Sequence, residues 1–239
     1  MYLFSWCFAL FCSLILPLTL AVELCVRKKG TWRPLLCGAL TFTVFQGFVR
    51  LPVLTALART DWYSGFETSD PALYALFLGA TAALFEEGGR WLVMRIFLKK
   101  RRSVRDGIAF GAGHGGIEAI AVLGVTALAN IIGAGSLSVG EWSLVLAGGA
   151  ERLFALAAQI GFSVMVMESV REKKPLWLLL AFALHMLIDF GAAYAAGFLG
   201  DSASVWALEV CIGLFGAGML RFTWKAWKQE RAQSGPSAG

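Results

Sequence analysis

Long apolar runs separated by short polar, charged turns organise the whole chain. A bilayer-spanning helix needs about 20 mostly apolar residues. Seven stretches meet that length, roughly 2–26, 34–58, 71–98, 106–132, 144–168, 175–199 and 203–227. Pro34, Pro71 and Pro175 open three of them, where a missing N–H costs nothing and the fixed φ suits a first helical turn. Pro17 and Pro52 fall inside runs and are expected to kink them. The pattern predicts an all-α polytopic membrane bundle of seven transmembrane helices, a single domain over 1–227. A disordered cytoplasmic tail is expected over 228–239, and neither a repeat nor a soluble domain is visible.

Composition sharpens this reading. Of 239 residues 58% are apolar and only 15% charged, whereas soluble domains carry about a quarter charged residues. Disordered proteins, disulfide-built secreted modules and ordinary cytosolic enzymes are excluded. Cys7, Cys12, Cys25, Cys37 and Cys211 form no CxxC pair and read as small buried hydrophobes. The net charge of +5 does not imply nucleic acid, because the charges sit at the ends of apolar runs. Sixteen of the 21 basic residues follow the first, third, fifth and seventh runs. The opposite turns hold Arg59, Asp61, Glu67, Asp70, Glu141 and Asp201. The positive-inside rule then places the N-terminus outside and the C-terminus in the cytoplasm of a bacterial cell membrane. The first run does not read as a secretory signal, since it lacks a basic leader and its positive charge comes after it.

Ionisable groups at membrane depth are expensive, by about 2.5–3.5 kcal/mol each, and mark function by default. With Glu23, Arg95, Glu168 and Glu209 set aside as near run ends, the deep set is Arg50, Glu86, Glu87, Arg90, His114, Glu118, Glu151, Arg152, His185 and Asp189. Helical spacing puts Glu86 and Glu87 within reach of Arg90, His114 on one face with Glu118, and His185 on one face with Asp189. Glu151 and Arg152 are adjacent and are expected to point apart. At 1.5 Å per residue, His114, His185 and Glu86 lie about 12, 15 and 18 Å in from one membrane face and can share a layer. Arg50 and Glu151 lie deeper, at about 24–25 Å by the same rise, and read as a supporting ion pair joining the second and fifth runs. Gly111, Gly113, Gly115 and Gly116 around His114 have two readings: close helix packing, or a helix loosened to admit substrate.

Glu86-Glu87-x-x-Arg90, Phe110-x-x-x-His114 and His185-x-x-x-Asp189, in that order on near-successive spans, resemble the CAAX-protease and bacteriocin-processing superfamily of intramembrane endopeptidases. Within it the chain looks most like the YhfC-like family of intramembrane metalloproteases, which FQGFVRLP and FGAGHGGIEAI also fit. The resemblance implies that Glu86 is the general base acting on water, assisted by His114. His185 and Asp189 would hold the oxyanion or orient the water, and Glu87 and Arg90 would complete the site. Two positions depart from the superfamily pattern. Two residues, not three, separate Glu87 from Arg90, and Asp189 stands where relatives often have Asn. Because a carboxylate donates to an oxyanion only when protonated, Asp189 is expected to fix the His185 tautomer or bind a cation.

Peptide hydrolysis needs an activated water, a partner for the oxyanion and a proton for the leaving amine. No GxSxG elbow is present, so Glu, His and water remain, of glutamate or metallo type. The deep carboxylates outnumber the deep arginines by two. A divalent cation, protonated carboxylates or protonated histidine would meet that deficit. Zinc could use His114, His185, Glu86 and Asp189, yet HExxH is absent, and no metal is expected to be obligatory. The expected partners are the bilayer and a peptide or protein substrate, not nucleic acid. Two other readings stay open: a proton-coupled transporter using the Glu/His/Asp cluster as a relay, and a scaffold whose charges only hold helices together.

Overall fold

The computed structural model describes residues 1–27, 30–133, 142–197 and 202–233. Lys28, Lys29, Glu141 and Asp201, which enter the charge pattern above, and residues 234–239 lie outside the described residues. Among the described residues all regular structure is helical. The helices are α1 (Tyr2–Val26), α2 (Trp32–Leu57), α3 (Asp61–Ser69), α4 (Pro71–Phe97), α5 (Val104–Ile132), α6 (Trp142–Glu172), α7 (Pro175–Ala196) and α8 (Ser202–Gln233). Every expected apolar run has become a helix. Six of them, all but α3 and α4, are long and apolar enough to cross a membrane. The 27 residues of α4 are long enough as well, but Glu86, Glu87 and Arg90 in its middle reduce its apolarity.

Local chemistry sets the helix ends. Asp70 caps α4 by accepting the Leu73 N–H at 3.0 Å, one residue before Pro71. Ser103 and Asp106 form a reciprocal capping box at the start of α5. The prolines expected to kink α1 and α2 are met by widened turns. A π-helical stretch, Phe11–Ile15, precedes Pro17, and another, Phe42–Arg50, precedes Pro52. A proline ring clashes with the carbonyl four residues back and lacks the N–H that would bond it, and a π turn relieves both problems.

The central helix is α6. Some 72% of its most apolar window is buried, against 11–28% for the other candidate spans. It packs against α5, α7 and α8, while α4 runs along α7 and α2 along α5. Outward-facing apolar side chains such as Phe48 and Leu214 remain exposed, as lipid-facing positions require.

The glycines of α5 serve close contact. A Cβ at Gly113 would stand 1.9 Å from the Leu35 carbonyl oxygen of α2, and one at Gly111 2.5 Å from the Ile160 Cα of α6. The helix is continuous from Val104 to Ala119, and these contacts are the ones the packing reading expects of this glycine run.

The expected disordered tail is corrected over residues 228–233, because α8 continues to Gln233. Side-chain partners hold its last turns. Lys228 lies over Trp224 at 5.1 Å and Arg231 over Trp227 at 5.0 Å. Glu230 accepts from Arg171 of α6 at 2.6 Å and from the Val104 N–H at 3.0 Å.

Candidate active site

Glu86, Glu87 and Arg90 lie within one turn of α4, and the expected pairing is realised. Arg90 donates to Glu86 Oε2 at 3.3 Å and, through its other terminal nitrogen, to Glu87 Oε1. The guanidinium is fully buried, and a buried cation is tolerable only when acceptors surround it. Its third acceptor comes from α6, the side-chain oxygen of Gln159. It also lies over the Phe162 ring, 5.9 Å from the centroid.

The histidines arrive from α5 and α7. From α5, His114 places Nε2 3.0 Å from Glu86 Oε2, and its Nδ1 is enclosed without a partner. We assign the Nε2–H tautomer, donating to Glu86, because that leaves a bare acceptor and not an orphaned N–H. Phe42, edge-on at 5.3 Å, and Phe110, stacked at 6.4 Å, hold the ring. From α7, His185 places Nδ1 2.7 Å from Glu87 Oε1. Its Nε2 stands 3.5 Å from Asp189 Oδ2 and 4.0 Å from Glu86 Oε2. Phe162 stacks on this ring at 4.8 Å. The shared layer expected from helical depth therefore exists, and Glu86 lies between the two imidazoles.

Glu86, Gln159, His185, Asp189, Glu118 and Arg152 line a cavity of about 250 Å³. His114, Glu87 and Arg90 are not among its lining residues; they stand behind Glu86 and His185 and hold them in place. Asp189 is the half-open member, its side chain 40% exposed.

The supporting residues are arranged differently from the expectation. Glu118 does not bond to His114; it accepts from Gln159 Nε2 at 2.5 Å and from Arg152 at 3.2 Å. Arg152 also donates to its neighbour Glu151. Adjacency was expected to point these two apart, but the long arginine stem folds back. The expected Arg50–Glu151 pair is likewise corrected. Arg50 donates to the Leu78 carbonyl at 2.8 Å, Thr81 Oγ1 at 3.2 Å and Gln46 Oε1 at 3.3 Å, tying α2 to α4. Depth along a helix fixes height and not azimuth, and α4 is the helix that packs beside the Phe42–Arg50 stretch.

Charge-based reading missed Gln159, the one amide side chain in α6, which bonds Arg90, Glu86 and Glu118 at once. A lone amide amid an apolar run was the available signal. It also missed Phe162, which stacks on His185.

The donor set does not fit a resident metal as it is arranged. Glu86 Oε2 already accepts from His114 and has the Arg90 guanidinium at 3.3 Å, so a second cation there would meet direct repulsion. Among the described residues no three His, Cys, Asp or Glu side chains gather as a metal-holding group.

A family model described as "YhfC intramembrane metalloprotease" matches residues 12–146 and 134–212. The chain is also 31% identical over 234 residues to a Bacillus subtilis (strain 168) protein named "Uncharacterized membrane protein YhfC". That similarity covers 86% of this chain and 88% of the relative. No solved structure matches the chain.

Proposed function

The chain belongs to the YhfC intramembrane metalloprotease family, and from that premise we propose that it is an intramembrane endopeptidase whose base is Glu86. The substrate is a peptide segment embedded in, or anchored to, a bacterial cell membrane. In this reading α4 crosses the bilayer with the other six long helices, with the N-terminus outside and the C-terminus in the cytoplasm. The kinship with the CAAX-protease superfamily is part of the same proposal.

One observation carries the reading. A buried carboxylate, oriented by His114, Arg90 and Gln159, borders a polar cavity together with a histidine that is itself oriented from behind. A cavity of about 250 Å³ holds a water, which occupies about 30 Å³ in the liquid, and a peptide group beside it. Glu86 takes a proton from that water as the oxygen bonds to the peptide carbonyl carbon. The carbonyl oxygen gains the negative charge and accepts from His185 Nε2–H, whose ring Glu87 holds through Nδ1. Asp189, 3.5 Å away, steadies the same Nε2–H. Collapse breaks the C–N bond, and Glu86 returns its proton to the leaving amine, giving a carboxylic acid, which keeps the water's second proton, and an amine. Glu86 and His185 are the catalytic residues; His114, Glu87, Arg90 and Gln159 position them. The family description names a metal, but no step here passes through one, and elemental analysis of active protein tests that point: stoichiometric zinc would overturn the metal-free version.

The main test compares new protein N-termini in membranes of cells expressing the full chain or Glu86→Gln. Fragments present with the wild type should fall by at least about 10²-fold in the variant at equal expression, with His114→Ala also inactive. Equal fragment yields from the wild type and Glu86→Gln would refute the assignment. A proton-coupled carrier would use the same acidic groups as a relay. Proton flux in liposomes that Glu86→Gln abolishes, without any cleavage, would replace the protease reading.

A further inference from the structure

A second cavity, of about 480 Å³, opens at the basic end of the bundle and shares no lining residue with the first. Trp91 and Arg95 from the end of α4, Arg102 from the segment before α5, Ser169 from the end of α6, Lys173 from the turn that follows it, and the first turn of α7 surround it. Three of these side chains are cations, and no carboxylate lines the cavity. Among the described residues, the ion pairs at this end use other arginines and lysines: Arg101 with Asp106, Arg171 with Glu168 and Glu230, and Lys174 with Glu172.

Each cation is also held or left in a way that points to an anion. Arg95 stacks over Trp91 at 4.9 Å, which fixes the guanidinium plane and leaves its N–H edge available. Arg102 Nε is enclosed without a hydrogen-bond partner. Lys173 has φ 58°, a left-handed conformation that glycine or asparagine would adopt at lower cost. A lysine there accepts backbone strain and puts an ammonium beside the cavity. The N-terminus of α7, 22 residues long, adds the positive end of a helix dipole.

We infer that this cavity binds a phosphodiester or phosphate group. Four positive features converge without a counter-charge, and such basic pockets between membrane helices suit lipid headgroups. The exposed apolar residues Leu92 and Ile96 of α4 and Leu176 and Leu179 of α7, on the helices that form the cavity, offer a surface for acyl chains. These favour a lipid over free phosphate.

The test titrates the purified full-length protein in neutral detergent with dihexanoyl-phosphatidylglycerol, dihexanoylglycerol or inorganic phosphate, reading tryptophan fluorescence. The phosphatidylglycerol should bind saturably. Arg95→Gln and Arg102→Gln should each weaken it at least about tenfold, and Lys228→Gln, a cation at the same end outside the cavity, should not. Binding of the lipid but not of phosphate identifies a headgroup site; equal binding of both identifies a free-phosphate site. Equal affinity for dihexanoylglycerol, unchanged affinity in both arginine variants with wild-type melting, or no binding of either phosphate compound would overturn the inference.

Discussion

A single methyl group at position 113 should disable the protein from the far side of His114. In Gly113→Ala the new Cβ would lie 1.9 Å from the Leu35 carbonyl oxygen, 2.8 Å from its carbon and 3.1 Å from the Ala39 nitrogen. These are backbone atoms that no rotamer change can move. Ordinary contact begins at 3.4 Å, so α5 and α2 must separate by about 1.5 Å at this point to restore van der Waals distance. His114 is the next residue and moves with α5, which stretches its 3.0 Å bond to Glu86 beyond hydrogen-bonding range. Overpacking costs about 1–3 kcal/mol and loss of a bond to a charged acceptor about 1.5–3, against about 1 gained from helix propensity. The expected net is a loss of about 1.5–5 kcal/mol by the same terms. Gly88→Ala is the control: nothing lies within 4 Å of its added Cβ, although it sits beside Glu87 on α4. The assay is the heat-induced loss of helical circular dichroism in detergent, at one heating rate because such unfolding is irreversible. Gly113→Ala should melt several degrees below wild type and Gly88→Ala at or above it. A Gly113→Ala protein that melts at the wild-type midpoint would refute the packing argument and return the glycine run to a role in loosening the helix.

Two further perturbations probe the network and the C-terminal helix. Gln159→Leu removes the amide shared by Arg90, Glu86 and Glu118; with about 1–3 kcal/mol for each buried group left short of a partner, its melting midpoint should fall clearly, and an unchanged midpoint would show that the amide contributes nothing. Glu230→Gln weakens the contact with Arg171, whose side chain is 28% exposed, so global stability should drop by less than about 1 kcal/mol. Backbone amides beyond Trp224 should nevertheless exchange hydrogen faster, and unchanged exchange would mean that the aromatic stacking alone holds the last turns.

Much of this arrangement was legible because helices have one period and membranes one thickness. Run lengths located the helices, and i,i+4 spacing paired Glu86 with Arg90 and His185 with Asp189. Depth brought Glu86, His114 and His185 into one layer. What depth does not encode is azimuth, the direction a side chain takes around its helix. That is why Arg50 was matched with Glu151 when its partners are on α4 and its own helix, and why Glu118 was placed with His114 when it faces Gln159 and Arg152. Reading charges alone also passed over Gln159, whose neutral amide can donate to one ion and accept from another, as no charged group can.

The adjacency of Glu86 and Glu87 holds the azimuthal information that pair spacing left out. Successive residues on a helix of 3.6 per turn point about 100° apart, so two neighbouring carboxylates on α4 address two different helices. Glu86 turns to α5 and meets His114; Glu87 turns toward α7 and meets His185. One cation placed three and four residues later serves both, and Arg90 does so. Arg90 is therefore what allows two buried acids to stand side by side, and the Glu-Glu-x-x-Arg motif reads as the hinge of a two-histidine site. The division of labour follows from the same geometry. In the proposed mechanism the carboxylate that borders the cavity works on a water, and the one behind it holds its histidine.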